Sequence, residues 1–163
     1  MAVLPIILYP DSPLRQKSKR VRDIDGSIER LIDDMVETLH HARGVGLAAP
    51  QIGVPLRVVV IELPSEETLA LVNPQIVKRS GERAVEEGCL SIPGYRGEIK
   101  RSAKVTVKGL DRHGKEVRVK GEGLLAEALE HEIDHLNGVL YVDYLESMDQ
   151  LFEVEAGAEA REI

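Results

Sequence analysis

The sequence predicts a single compact α+β domain, with antiparallel or mixed β-sheets around a central helix that carries the segment His131-Glu132-Ile133-Asp134-His135. Three observations predict it. Only two stretches hold a clear helical period, residues 27–41 and 124–136. The β-branched stretches lie mostly ahead of the second of these, and turns rather than alternating helices join them, unlike repeating β–α–β units. Finally, 163 residues with no Trp and a single Phe suit one domain whose core is built from Val, Leu, Ile and Ala.

Residues 1–25 read as irregular, because Pro5, Pro10 and Pro13 interrupt regular structure. Lys17, Lys19, Arg20 and Arg22 form a small basic cluster there, read as solvated surface. From Ser27 to His41 an amphipathic helix is predicted, with Ile28, Leu31, Ile32, Met35, Val36 and Leu39 on one face and Gly44 as its stop. His40 and His41 fall at its C-terminal end, where a partly charged imidazole suits the helix dipole, and read as structural. Arg57–Leu63 and Leu69–Val77 read as strands. Lys104–Leu110 and Glu116–Lys120 read as a hairpin turning at Asp111-Arg112-His113-Gly114. A helix from Leu124 to Leu136 follows and stops at Asn137-Gly138. Val139–Leu145 reads as a short strand, and a short helix is expected from Ser147 on.

The formal net charge of −7 disfavours a general nucleic-acid binder, which usually carries a basic surplus. One cysteine, Cys89, excludes an intrachain disulfide and fits a reducing compartment. The first ten residues are apolar but have no basic start and no cleavage site, so no signal peptide is read. No apolar run has the length to span a bilayer. A soluble, cytoplasmic protein is expected.

His131 and His135 are four residues apart on a helix, so they share a face and can grip one divalent metal, with Glu132 beside them to carry protons. At about 100° per residue, Leu124, Leu125, Ala128, Leu129, Ile133 and Leu136 fill one apolar arc. Glu132 and His135 fall inside it and His131 at its edge, while Glu127, Glu130, Asp134 and Asn137 fall on the opposite side. An unpaired carboxylate in that arc is costly unless a metal or water satisfies it. The bland alternative is a core helix with two hydrogen-bonded His and a salt-bridged Glu.

A catalytic metal usually takes three protein ligands and keeps one position open. Cys89, in Glu86-Glu87-Gly88-Cys89-Leu90-Ser91, is the candidate third, in a loop shaped by Gly88 and the Pro93-Gly94 turn. A small buried hydrophobe is the other reading of a free Cys. Gly44 and Gly46 leave backbone open, so an extended peptide can pair with the segment 44–53, where Gln51 offers the one side-chain amide. Tight packing with Gln51 capping a loop carbonyl explains the same composition equally well.

Three segments together resemble the peptide deformylase family. They are Gly44-Val45-Gly46-Leu47-Ala48-Ala49-Pro50-Gln51, Glu87-Gly88-Cys89-Leu90-Ser91 and His131-Glu132-Ile133-Asp134-His135, intact and in order. The resemblance runs from about Leu8 to Leu145. It implies a catalytic domain over 1–146, with 147–163 as an acidic tail or short helix. It also implies hydrolysis of the formyl group from N-terminal formyl-methionine, releasing formate. Cys89, His131 and His135 would bind one divalent metal, Fe(II) by preference, with Zn, Ni or Co able to replace it. Water activated there would attack, Glu132 would be the general acid/base, and Gln51 with the backbone N–H of Leu90 would steady the oxyanion. The peptide would lie along Val45 and Gly46 with Gly88 close by and Arg96 in contact. Val45, Leu124 and Ala128 would line the methionine pocket. Glu127 departs from the Arg or apolar residue common at its position, and Lys100 stands where Pro is common.

Nascent chains leave the ribosome, so a transient ribosome association is expected, with neither DNA nor membrane as partner. From Ser147 to Ile163 the chain holds Asp149, Glu153, Glu155, Glu159 and Glu162 against Arg161 alone, which disfavours docking on RNA by this tail. Two rivals are a general zinc peptidase, which also carries HExxH, and a protein that holds metal without catalysis. The Cys ligand with the Gln51 segment argues against the first, and the intact Glu132 against the second.

Overall fold

The computed structural model describes residues 2–154 and 163. Among the described residues, two antiparallel sheets and two α-helices make up the fold, consistent with the predicted α+β class. The larger sheet has the order β1 (Gly46–Ala48), β2 (Val58–Ile61), β3 (Leu69–Ser80), β6 (Lys104–Leu110) and β7 (Glu116–Glu122). The smaller sheet comprises β4 (Arg83–Cys89), β5 (Ile92–Arg101) and β8 (Phe152–Glu153).

Helix α1 (Gly26–Ala42) and helix α2 (Gly123–Leu136) lie on opposite faces of the larger sheet. The period of two along β2 sets this up. Val58 and Val60 pack with Ile28, Ile32, Met35 and Leu39 of α1, whereas Val59 and Ile61 pack with Ala128, Leu129, Ile133 and Leu136 of α2. Both faces of β2 are therefore covered, which is why it reads as an unbroken apolar run. A third apolar cluster joins Leu14, Val85, Ile92, Ile99, Leu140 and Tyr141 behind the smaller sheet, with Cys89 in it.

Helix α1 is capped by the Asp25 carboxylate, which accepts from the N–H groups of Ser27 and Ile28. Its stop differs from expectation: Arg43, not Gly44, takes the left-handed conformation (φ 56°). His40 is held by Glu62 at 2.9 Å. The hairpin β6–β7 and its turn fall where predicted.

Four sequence expectations are corrected. Cys89 and the Pro93-Gly94 pair do not lie in a loop and a turn; they belong to the hairpin β4–β5, whose tip is Leu90-Ser91. The inward side of this hairpin carries Glu87, Ser91 and Arg101 beside Val85 and Ile99, and such polar inward residues hide the strand pattern. Val139–Leu145 is not a strand; Tyr141–Tyr144 form a 3-10 turn, favoured because the Asp143 carboxylate accepts from the N–H of Leu140. Glu127 and Glu130 are buried rather than on a solvated side, since the hairpin covers that flank of α2. The expected helix after Ser147 is one 3-10 turn, Met148–Gln150, followed by β8; the remainder of that expectation, residues 155–162, lies outside the described residues.

Candidate metal centre and active site

Helix α2 and the tip of the β4–β5 hairpin meet with their donors converging. Cys89 Sγ lies 3.3 Å from His135 Nε2, and His135 Nε2 lies 3.2 Å from His131 Nε2. The ligand atoms of the three residues all fall within 4.8 Å of one another, and all three side chains are buried. Metal–ligand bonds of about 2.0–2.3 Å at a tetrahedral angle would hold N and S donors about 3.4–3.6 Å apart. The 3.2 and 3.3 Å spacings fall a few tenths of an ångström short of that, so a small outward shift of the donors admits a metal.

Glu132 adds a second indication. It is fully buried, and neither carboxylate oxygen has a protein partner. Burial pushes its pKa up to about 7, although the neighbouring His131 pulls the other way. Room for it comes from β1: a Cβ on Gly46 would collide with the Glu132 carboxylate. The absence of a side chain at Gly46 thus makes room for the Glu132 carboxylate.

His131 is oriented from behind. Its Nδ1 meets the Glu87 carboxylate, which also takes a forked pair from Arg101 at 2.9 and 2.6 Å. Arg101 in turn reaches Asp134 at 2.7 Å, and Asp134 accepts from the Tyr144 hydroxyl at 2.7 Å. Burial opposes charge on His131, but Glu87, Glu132 and Cys89 together hold its pKa well above the ordinary value. The anionic groups around His131 thus favour positive charge there, and a metal on its Nε2 would take the place of that proton. His135 is pushed the other way, well below its ordinary value, by burial and then by His131. Glu87 is held down to about 2: burial opposes this, but His131 and Arg101 outweigh it. Neutral His135 is the form that ligates.

Gln51 is locked by its own segment. Its Oε1 accepts from Ala48 N–H at 2.9 Å, which leaves the amide N–H group directed at Ser91 Oγ (3.0 Å) and Cys89 Sγ (3.7 Å). The 3-10 turn Ala49–Ile52 that follows β1 makes this reach possible. The backbone N–H of Leu90, next to Cys89, donates to the backbone oxygen of Ile163 at 3.2 Å.

The other sequence-predicted residues fall around this centre. Val45 and Ala128 are buried in one apolar cluster with Leu129 and Ile133. Gly88 is buried beside Cys89 in β4. Leu124 is exposed, at the outer end of α2. Arg96 sits in β5, where it donates to the Glu86 carbonyl at 3.2 Å. Sequence reasoning missed the parts played by Glu87, Ser91, Arg101, Asp134 and Tyr144. For Glu87 a signal existed: it is two residues from both Val85 and Cys89, and so faces inward with them.

A buried carboxylate with no hydrogen-bond partner, next in sequence to one of two imidazoles that converge with a thiol, is the arrangement of a metal-dependent hydrolase. Comparison with known proteins narrows the class. Residues 3–151 match the Polypeptide deformylase family. A peptide deformylase of Dehalococcoides mccartyi (strain CBDB1) is 58% identical over 155 residues, spanning 94% of this chain and 93% of the relative. The crystal structure of a peptide deformylase from Legionella pneumophila superposes with a TM-score of 0.89 at 52% identity, covering 91% of this chain and 89% of that one. The Ehrlichia chaffeensis peptide deformylase in complex with actinonin gives a TM-score of 0.90 at 41% identity and covers 92% of each chain. The chain belongs to the peptide deformylase family. Its reaction is the metal-dependent removal of the formyl group from N-formyl-methionine peptides. No described helix is long and apolar enough to cross a membrane.

Proposed function

We propose that Cys89, His131 and His135 hold the metal and that Glu132 is the general acid/base of deformylation. The unpartnered, fully buried Glu132 carboxylate beside three converging donors carries this assignment. A divalent metal held there supplies a Lewis acid and lowers the pKa of water toward neutrality. Glu132, poised near neutral pH by burial, takes a proton from the attacking water and delivers one to the departing amine. The Gln51 amide and the Leu90 N–H meet the oxygen on which charge develops, in a site closed to solvent where such donors act strongly. Glu87, fixed by Arg101, keeps the His131 ring in its ligating orientation.

The substrate chain pairs along Val45 and Gly46, with Gly88 and Arg96 beside it. Val45, Leu124 and Ala128 form an apolar pocket for methionine. Such a pocket separates side chains differing by one methylene only about 10 to 200-fold, so methionine is preferred rather than demanded. A thiolate with two imidazoles suits several metals, of which Fe(II) is the native one here, with Zn, Ni or Co as substitutes. Activity lost in air with iron and kept with nickel supports that choice; equal loss with both overturns it. Actinonin, bound by the Ehrlichia chaffeensis relative, is expected to compete here too. The protein works in the cytoplasm and meets nascent chains in transient encounters at the ribosome.

The test is formate release from formyl-Met-Ala-Ser by protein prepared anaerobically with iron. The Glu132→Ala variant should keep its metal and lose activity by about 10²-fold or more. Retained activity in that variant removes Glu132 from its role. Equal cleavage of free or acetylated Met-Ala-Ser would favour a general peptidase.

A further inference from the structure

Ile163 lies far in sequence from the catalytic motifs yet is packed among them. It is 3% exposed and shares one apolar cluster with Val45, Ala128, Leu129 and Ile133. Two of these, Val45 and Ala128, are proposed walls of the methionine pocket. Its backbone oxygen accepts from the N–H of Leu90, the group proposed to meet the substrate's oxyanion. Earlier in the same tail, β8 pairs with β5 at Tyr95 and Arg96, and Val154 N–H donates to the Gly94 carbonyl. Eight residues lie between Val154 and Ile163, a connection that can reach up to about 30 Å.

We propose that Ile163 is an intramolecular competitor of the substrate: its side chain fills the methionine pocket and its backbone oxygen takes the Leu90 donor. This rests on the assignment of Val45, Ala128 and Leu90 given above. Three features support it. An isoleucine side chain is apolar and close to methionine in volume, so it satisfies the same pocket. One N–H forms one good hydrogen bond, so Leu90 cannot serve Ile163 and a substrate together. The tether makes the contact intramolecular, so even weak intrinsic affinity gives substantial occupancy.

The expected signature is a split between KM and kcat. A protein whose competent form is a fraction of the whole binds substrate more weakly by that fraction. If nine molecules in ten are self-occupied, releasing the tail lowers KM about tenfold. Saturating substrate displaces Ile163, so kcat is unchanged. The experiment compares the full chain with its Ile163→Asp variant, both loaded with metal, on formyl-Met-Ala-Ser. A charge at 163 is expelled from an apolar pocket, so KM should fall severalfold at constant kcat. Equal KM values overturn the proposal, and a lowered melting temperature with unchanged KM would leave Ile163 as a structural anchor only. If neither form releases formate, the functional assignment fails separately. Hydrogen exchange at the Leu90 amide in zinc-loaded protein then decides: faster exchange in Ile163→Asp supports the contact, and equal exchange removes it.

Discussion

At the scale of single residues, the centre is governed by acids that burial treats differently. Glu87 is buried but touches both Arg101 and His131, so it stays charged and holds His131 in place. Glu132 is buried with nothing of the protein to hold, and so is pushed up to about 7. Glu127 shares that fate without a catalytic part to play. It sits one turn before His131, is 6% exposed, and is pushed up to about 7 by burial and then by the charge of Glu87. Arg83 at 3.5 Å pulls the other way, but its side chain is partly exposed and does not offset them. Between the ordinary value of 4.5 and about 7, the folded protein keeps a proton on Glu127 that the unfolded chain has released. Stability is therefore complete below that window and falls as pH rises through it. Glu127→Gln replaces the protonated acid with a neutral group of the same shape and removes this loss. The variant should gain melting temperature over wild type at pH 8 and show much less difference at pH 4.5. An equal difference at both pH values would show that Glu127 does not titrate in this way.

At the scale of elements, strand β1 and helix α2 are fitted to each other at one point, Gly46 against Glu132. Gly46→Ala puts a methyl group into the carboxylate, and both lie in the buried layer between sheet and helix, with little room to give. The expected outcome is a loss of kcat of about tenfold or more, with metal content near wild type because the ligands are on other residues. A kcat within twofold of wild type would mean the carboxylate has a second place to go. This fit could not be read from the sequence, where Gly46 pointed only to open backbone. Helix α2 was legible because Leu125, Leu129, Ile133 and Leu136 repeat at the helical period, and β2 because Val58 to Ile61 are uniformly apolar. The hairpin β4–β5 was not, because half of its inward residues are polar and serve the centre: Glu87 holds His131, Ser91 holds Gln51, and Arg101 ties Glu87 to Asp134. Likewise Asp134 and Glu130 lie on a side of α2 that would be solvated in an isolated helix, and tertiary contacts give them partners: Arg101 and Tyr144 for Asp134, Arg79 and Ser102 for Glu130. The motif residues were visible in the sequence, and the polar network that supports them came from tertiary contacts.

At the scale of the whole molecule, the three donors come from separate layers. His131 and His135 belong to the helix packed on the larger sheet, whereas Cys89 belongs to the smaller sheet and its own apolar cluster. A metal bound by all three is thus a cross-link between two layers of the fold, and its removal acts on more than the reaction. Without it, the folded state keeps Glu132 buried and unpartnered, a cost that the unfolded chain does not meet. A ligand that binds only the folded state at about 1,000 times its dissociation constant adds about 4 kcal/mol. In a domain of this size, 1 kcal/mol moves the melting temperature by about 2–4 °C. Stripping the metal with a chelator should therefore lower the melting temperature by about 8–16 °C. Hydrogen exchange should quicken most at the β4–β5 tip and the second half of α2, and less in β2 and α1, which do not touch the centre. Adding back nickel or zinc should restore the melting temperature even where the restored activity differs between them. A chelated protein that melts where the loaded one does, with metal loss verified, would show that apolar packing alone joins the two layers.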